Sequence, residues 1–123
     1  MVTGNSDLQF IYVTTAGRIS GKPREIEIWF VELGAKLYIL AEHFFDTQWV
    51  KNIQHNPNIR VRMAGREFAA TGRILHPDLD ASTWRMAQQL AREKYGWGEG
   101  LPVELTPSAD CADDTDQAKR GLE

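Results

Sequence analysis

With 123 residues, 42% of them apolar and 25% charged, the chain can bury one core without disulfide or metal staples and is too short to suggest a second domain. No uninterrupted apolar run approaches the length needed to cross a bilayer, residues 1–7 lack the basic start and apolar centre of a signal peptide, and Cys111 is the single cysteine, so the expected setting is the reducing cytoplasm. The net charge of −3 resides in residues 106–123, where five acids face two bases, and the remaining body is balanced and offers no broad cationic surface for a nucleic-acid backbone.

In chain order, residues 8–15 read as a first strand. The stretch Thr14-Thr15-Ala16-Gly17-Arg18-Ile19-Ser20-Gly21-Lys22-Pro23-Arg24 then sets glycines, hydroxyls and three cations between two strands. Glycines let a backbone turn and expose its N–H groups, while arginine and lysine offer positive charge, so the stretch suits an anion; a tight hairpin with solvated charges is the alternative. A second strand is expected over 24–31, with Ile26, Ile28 and Phe30 on one face and Glu25, Glu27 and Trp29 on the other. Gly34-Ala35 marks a hairpin turn into a strand over 36–41 whose near-continuous apolar character suggests burial on both faces. Asp46 or Thr47 is placed to cap a short helix to about His55, carrying Trp49, Val50 and Ile53 on one side, and Asn56-Pro57-Asn58 stops it.

Residues 59–63 alternate again, Ala64-Gly65-Arg66 turns, and a further strand over 68–75 ends before Pro77. A helix over 80–95 carries Trp84, Ala87, Leu90 and Ala91 at spacings of three and four. A glycine-rich segment over 96–100, suited to lid motion, leads to a last strand over 101–105. Residues 1–105 are therefore expected as one domain and 106–123 as a disordered acidic tail. Short turns between most strands favour an antiparallel sheet closing toward a barrel, an α+β arrangement. Glu25 and Glu27 are expected to pair across strands with Arg60 and Arg62. His55 and His76 stand at element ends, and no spaced His, Cys or Asp cluster suggests a metal site.

The ordered blocks Thr14-Thr15-x-Gly17-Arg18-x-Ser20-Gly21-x-Pro23-Arg24, Trp29-Phe30, Trp49-x-x-Asn52 and Asn56-Pro57-x-Ile59 resemble the deazaflavin-dependent nitroreductase family over about residues 10–105. That family is a branch of the flavin-binding split β-barrels related to pyridoxamine-phosphate oxidase. The resemblance implies an antiparallel split β-barrel with one short inserted helix and one longer C-terminal helix, assembled as a homodimer. It also implies a bound deazaflavin coenzyme F-420, or alternatively FMN, and hydride transfer to a small quinone-, enone- or nitro-type electron acceptor. A non-enzymatic flavin or flat-ligand binder is the remaining alternative.

By the same resemblance, Arg18, Ser20, Gly21, Lys22 and Arg24 hold the phosphate and acidic tail of the cofactor. Trp29 lies beside the cofactor, and Trp49 and Asn52 close over its ring system. The competing readings make Trp49 a core anchor and Asn52 a local backbone partner. The chain departs from the family at Glu42-His43-Phe44-Phe45-Asp46, where family members carry small residues and a phosphate-binding lysine. His43 can stand in as a donor there, while Glu42 would repel a phosphate. For the proton that accompanies hydride transfer the candidates are Tyr95 and His43; the alternative for Tyr95 is that, with Trp97, it closes the barrel end.

Overall fold

Two strands that adjoin in sequence lie at opposite edges of the sheet, and this closes the sheet on itself. The computed structural model describes residues 8–108 and contains seven strands: β1 (Phe10–Ala16), β2 (Pro23–Trp29), β3 (Val31–Leu33), β4 (Lys36–Ala41), β5 (Asn58–Met63), β6 (Arg66–Ile74) and β7 (Leu101–Pro107). All pair antiparallel in the order β2-β1-β5-β6-β7-β4-β3. Only Phe30 separates β2 from β3, so the two edges meet there, and the fold is an antiparallel split β-barrel. The single strand expected over 24–31 is thereby corrected. At Phe30 the backbone leaves the ladder, and its N–H and C=O bond instead to the Tyr95 hydroxyl, at 3.1 and 2.6 Å.

Helix α1 (Gln48–His55) is inserted between β4 and β5, and α2 (Ala81–Tyr95) between β6 and β7. Alternation fills the barrel: Ile11 and Val13 from β1, Ile59 and Val61 from β5, and Phe68 and Ala70 from β6 all point inward and are buried. Each of these side chains larger than alanine contributes about 1.5–3 kcal/mol relative to exposure. Helix α1 adds Val50 and Ile53 to the same cluster. It sits close because β6 presents Gly72 beneath it, where a Cβ would stand 3.0 Å from the Ile53 Cγ2. Thr47 takes the position before α1 with extended backbone, but its side chain makes no capping bond.

Helix α2 packs Ala87 and Ala91 against Val31, Tyr38 and Leu75 in a second, smaller cluster. It stops at Gly96, whose φ of 81° is the left-handed conformation that glycine adopts without strain, with its N–H bonded to Arg92 O. The glycine-rich segment read as a lid has a packing reason. A Cβ on Gly98 would stand 2.1 Å from Gln88 O, and Gln88 in turn donates to Gly100 O at 2.9 Å. Strand β7 continues to Pro107, past the expected boundary at 105, and Ser108 N–H bonds to Ala69 O. The expectations for residues 1–7, for Cys111 and for the tail from 109 onward fall outside the described residues.

One polar network ties α2 to the sheet. Glu104, 6% exposed in an otherwise apolar strand, accepts hydrogen bonds from Tyr38 Oη at 2.9 Å and Arg73 Nε at 3.2 Å. Arg73 also grips the Asp80 carboxylate with both terminal nitrogens, at 3.1 and 3.2 Å, and His76 N–H donates to Asp80 at 2.8 Å. Arg73, then the His76 N–H, hold the Asp80 carboxyl below its usual range. A depressed folded-state pKa contributes stability that is present above the unfolded value, near 3.9, and is lost as pH falls through the folded value. Asp80→Asn is therefore expected to lower the melting temperature at pH ~7, and the gap from the native chain should narrow steadily as pH falls below the usual carboxylate range in paired thermal melts.

Candidate functional site

The β1–β2 loop is fixed by its own backbone. Gly17 N–H bonds to Lys22 O at 2.8 Å and Gly21 N–H to Gly17 O at 2.7 Å, while Ser20 Oγ accepts from Lys22 N–H. Gly21 has φ of 75°, which explains a glycine there. The loop then docks on α1 through Arg18. Asn52 Oδ1 accepts both the Arg18 backbone N–H at 3.2 Å and its guanidinium at 3.0 Å, and Gln48 Oε1 accepts the other terminal nitrogen at 2.7 Å. Asn52 is itself buried and donates to Thr15 Oγ1 at 3.2 Å.

These residues border a cleft of about 530 Å³ that also takes in Ser20, Arg24 and Trp49, with no carboxylate in its lining. Among the described residues no carboxylate lies within 4 Å of Arg18, Lys22 or Arg24, whereas Lys36, Arg60, Arg62 and Arg73 are all ion-paired. Neutral amides hold the Arg18 guanidinium, so its charge stays available to an anion. Of the loop residues singled out in the sequence, Lys22 is exposed and not part of this lining, and Gly21 borders a separate depression of about 340 Å³.

A second cleft, of about 640 Å³, adjoins the first, and Trp49 lines both. Its walls are aromatic. Trp29 and Tyr95 stack with ring centroids 4.5 Å apart and planes 2° from parallel, and Phe10 and Trp97 add to the surface. Glu27, Glu42 and His43 supply its carboxylates and its imidazole, and Thr47 Oγ1 beside them is buried without a hydrogen-bond partner among the described residues. The departure from the family pattern at Glu42 and His43 therefore faces the aromatic cleft and not the cationic one.

Trp49 packs on the core, as its alternative reading expected, and also walls both clefts. Among the described residues the Asn52 side chain bonds no local backbone but the backbone N–H and guanidinium of Arg18, 34 positions away, and Thr15. The Tyr95 ring lines the cleft, but its hydroxyl accepts from Phe30 N–H and lies 2.6 Å from Phe30 O and 2.7 Å from Gln9 O. Burial raises its pKa against the smaller opposing effect of the Phe30 bond. Tyr38, also at this cleft, is pushed up to about 12 by burial and then by its bond to Glu104, so it keeps its proton at neutral pH.

Of the expected cross-strand charge pairs, Glu25 with Arg62 forms across the intervening β1, while Arg60 and Glu27 find other partners. Arg62 crosses the Tyr12 ring, 4.1 Å from its centroid, to reach Glu25 at 3.1 Å. Arg60 pairs instead with Glu67 at 3.4 Å, and Glu27 accepts from Tyr12 Oη at 2.9 Å. Sequence reading passed over Gln48. The available signal was its spacing of four from Asn52 on a short helix, which puts two amides on one face.

A family model described as F420H(2)-dependent quinone reductase matches residues 3–103. The chain belongs to this family. It is accordingly an oxidoreductase whose cofactor is the deazaflavin coenzyme F-420. Among solved structures, an F420-H2 dependent reductase, FDR-A, is similar at 24% identity with a TM-score of 0.62, over 81% of this chain and 94% of that one. The heme storage protein HutZ from Vibrio cholerae is similar at 15% identity and 0.66, over 83% of each chain. A third, described as a domain-swapped dimer, is similar at 21% and 0.57, over 81% and 80%. These likenesses establish the split-barrel fold of the quinone reductase family member described here. No curated protein matches the sequence. The donor set fits the family's cofactor: an unneutralised cationic cleft suits an acidic tail, and the adjoining aromatic one a flat ring.

Proposed function

We propose that this chain reduces a small flat acceptor of quinone, enone or nitro type at the expense of reduced coenzyme F-420, acting in the cytoplasm as a homodimer. The observation that carries the reading is the pair of adjoining clefts of opposite chemistry joined at Trp49. In this reading Arg18, Ser20 and Arg24, with Lys22 and Gly21 shaping the loop, hold the phosphate and acidic tail. Trp49 and Trp29 face the ring system, and Asn52 acts through Arg18. The cofactor, when bound in its reduced form, supplies a hydride. The aromatic walls keep water from that step, and His43 on the cleft gives the acceptor the one proton that completes its two-electron reduction. Tyr95 contributes the stacked wall, since its hydroxyl is engaged by backbone. The homodimer is supported by Phe10 and Trp29, 40% and 41% exposed at the cleft, and by the dimeric state of one similar structure.

The test is a fluorescence titration of purified protein with F-420 and with FMN, followed by reoxidation of the reduced complex on adding menadione or a nitroaromatic. Tight F-420 binding with turnover is expected; preference for FMN or indifference to both overturns the reading. In the same titration Arg24→Ala should weaken F-420 binding by at least ~1.5 kcal/mol, the scale of one lost charged hydrogen bond. Unchanged affinity would make Arg24 a structural residue.

A further inference from the structure

The two clefts differ in the sign of their charge as well as in polarity. The one on the β1–β2 loop contains Arg18 and Arg24 and no acid, whereas the aromatic one contains Glu27 and Glu42 and neither lysine nor arginine. Among the described residues no cation lies within 4 Å of either glutamate. Glu27 is held in place by the Tyr12 hydroxyl at 2.9 Å. The cation nearest in the sheet register, Arg62 over the Tyr12 ring, is taken up by Glu25 at 3.1 Å. Both glutamates are exposed at the cleft, so they repel an incoming anion through solvent, and added salt screens the effect.

We propose that Glu27 and Glu42 select acceptors by charge, so that the aromatic cleft admits neutral or cationic flat molecules and rejects anionic ones. The inference rests on the reading that this cleft receives the acceptor. It gives the acid at position 42 a purpose: a glutamate on the aromatic cleft keeps that chamber from competing for the cofactor's acidic tail. Selection arises from a repulsive element as much as from the attraction of the aromatic walls for a flat ring.

Binding is measured on cofactor-free protein by quenching of indole fluorescence, with menadione and a sulfonated naphthoquinone as neutral and anionic probes of similar shape. The native chain should bind menadione at least about tenfold more tightly. In the chain carrying Glu27→Gln and Glu42→Gln the preference should shrink at least about fivefold, through tighter binding of the sulfonated quinone. Equal binding of both probes by the native chain, or a preference undiminished in the double variant, overturns the proposal. Glu42→Gln alone, at an exposed position, keeps the test decisive if loss of the Tyr12 contact disturbs folding, because it should produce part of the same shift. Steady-state reduction with reduced F-420 separates the two inferences. Charge-selective binding with no turnover of either quinone would sink the reductase reading alone, whereas turnover of both with equal kcat/KM would sink charge selection alone.

Discussion

Replacing Asn52 by aspartate should weaken F-420 binding about thirty- to hundredfold, roughly 2–3 kcal/mol, with little change in melting temperature. The substitution keeps the shape of the side chain, so an oxygen still meets the Arg18 backbone N–H and guanidinium that Asn52 Oδ1 now accepts at 3.2 and 3.0 Å. What changes is charge. A carboxylate in contact with the guanidinium neutralises the cation that the cleft otherwise presents unpaired, and the hydrogen bond from Arg18 to an anion loses the charge assistance that makes it strong. Stability should hold because the attraction within the new buried pair and the cost of desolvating it are of similar size, and the Thr15 hydroxyl can rotate to donate where it now accepts. Fluorescence titration at two salt concentrations checks the effect. The native chain should lose affinity with added salt more steeply than the variant. Native-like affinity in Asn52→Asp would mean that the cofactor's acidic end does not meet Arg18.

The cationic half of the candidate site was readable because its residues are contiguous: one loop carries the glycines, Ser20 and the cations, and local chemistry names its ligand class. Asn52 was singled out as closing over the cofactor's ring system, whereas it lines the cationic cleft and not the aromatic one. Its partner Arg18 lies 34 positions away, and only the docking of α1 on the loop shows that the amide aims a guanidinium and does not face a ring. Position 42 was misjudged for a related reason. The family pattern attached it to phosphate, but the chain leaving β4 turns Glu42 and His43 toward the aromatic cleft, a direction that no spacing rule encodes.

Fold class followed from period-two alternation and short turns, which are properties of neighbouring residues. The break between β2 and β3 was hidden because Trp29, Phe30 and Val31 form an unbroken apolar run that reads as the end of one strand while the chain changes sheet edges. Nothing in a local window distinguishes a strand that continues from one that resumes across a seam. Glu104 did leave a trace, a lone acid in the run Leu101-Pro102-Val103-Glu104-Leu105, and its burial is explained by Tyr38, Arg73 and Lys36, which come from β4 and β6.

That seam sets the second large effect: Tyr95→Phe should destabilise the fold by ~2–3 kcal/mol. The hydroxyl accepts the Phe30 N–H and has one hydrogen to share between two carbonyls, Phe30 O and Gln9 O. Lys94 Nζ, 3.2 Å from Phe30 O and over the Phe30 ring, still serves the carbonyl in the variant, but no other group replaces the acceptor for the N–H. Phe30 is 1% exposed, so water does not reach that N–H without opening the junction of β2 and β3. The orphaned donor accounts for most of the loss, while the phenyl ring keeps its stack on Trp29. For a domain of this size the melting temperature should fall by roughly 5–12 °C. Hydrogen exchange should quicken at β3 before it does at β5, because the unpinned edge strand β3 lies four positions from β5 in the sheet order. An unaltered melt accompanied by abolished turnover would instead return the hydroxyl to the role of proton donor.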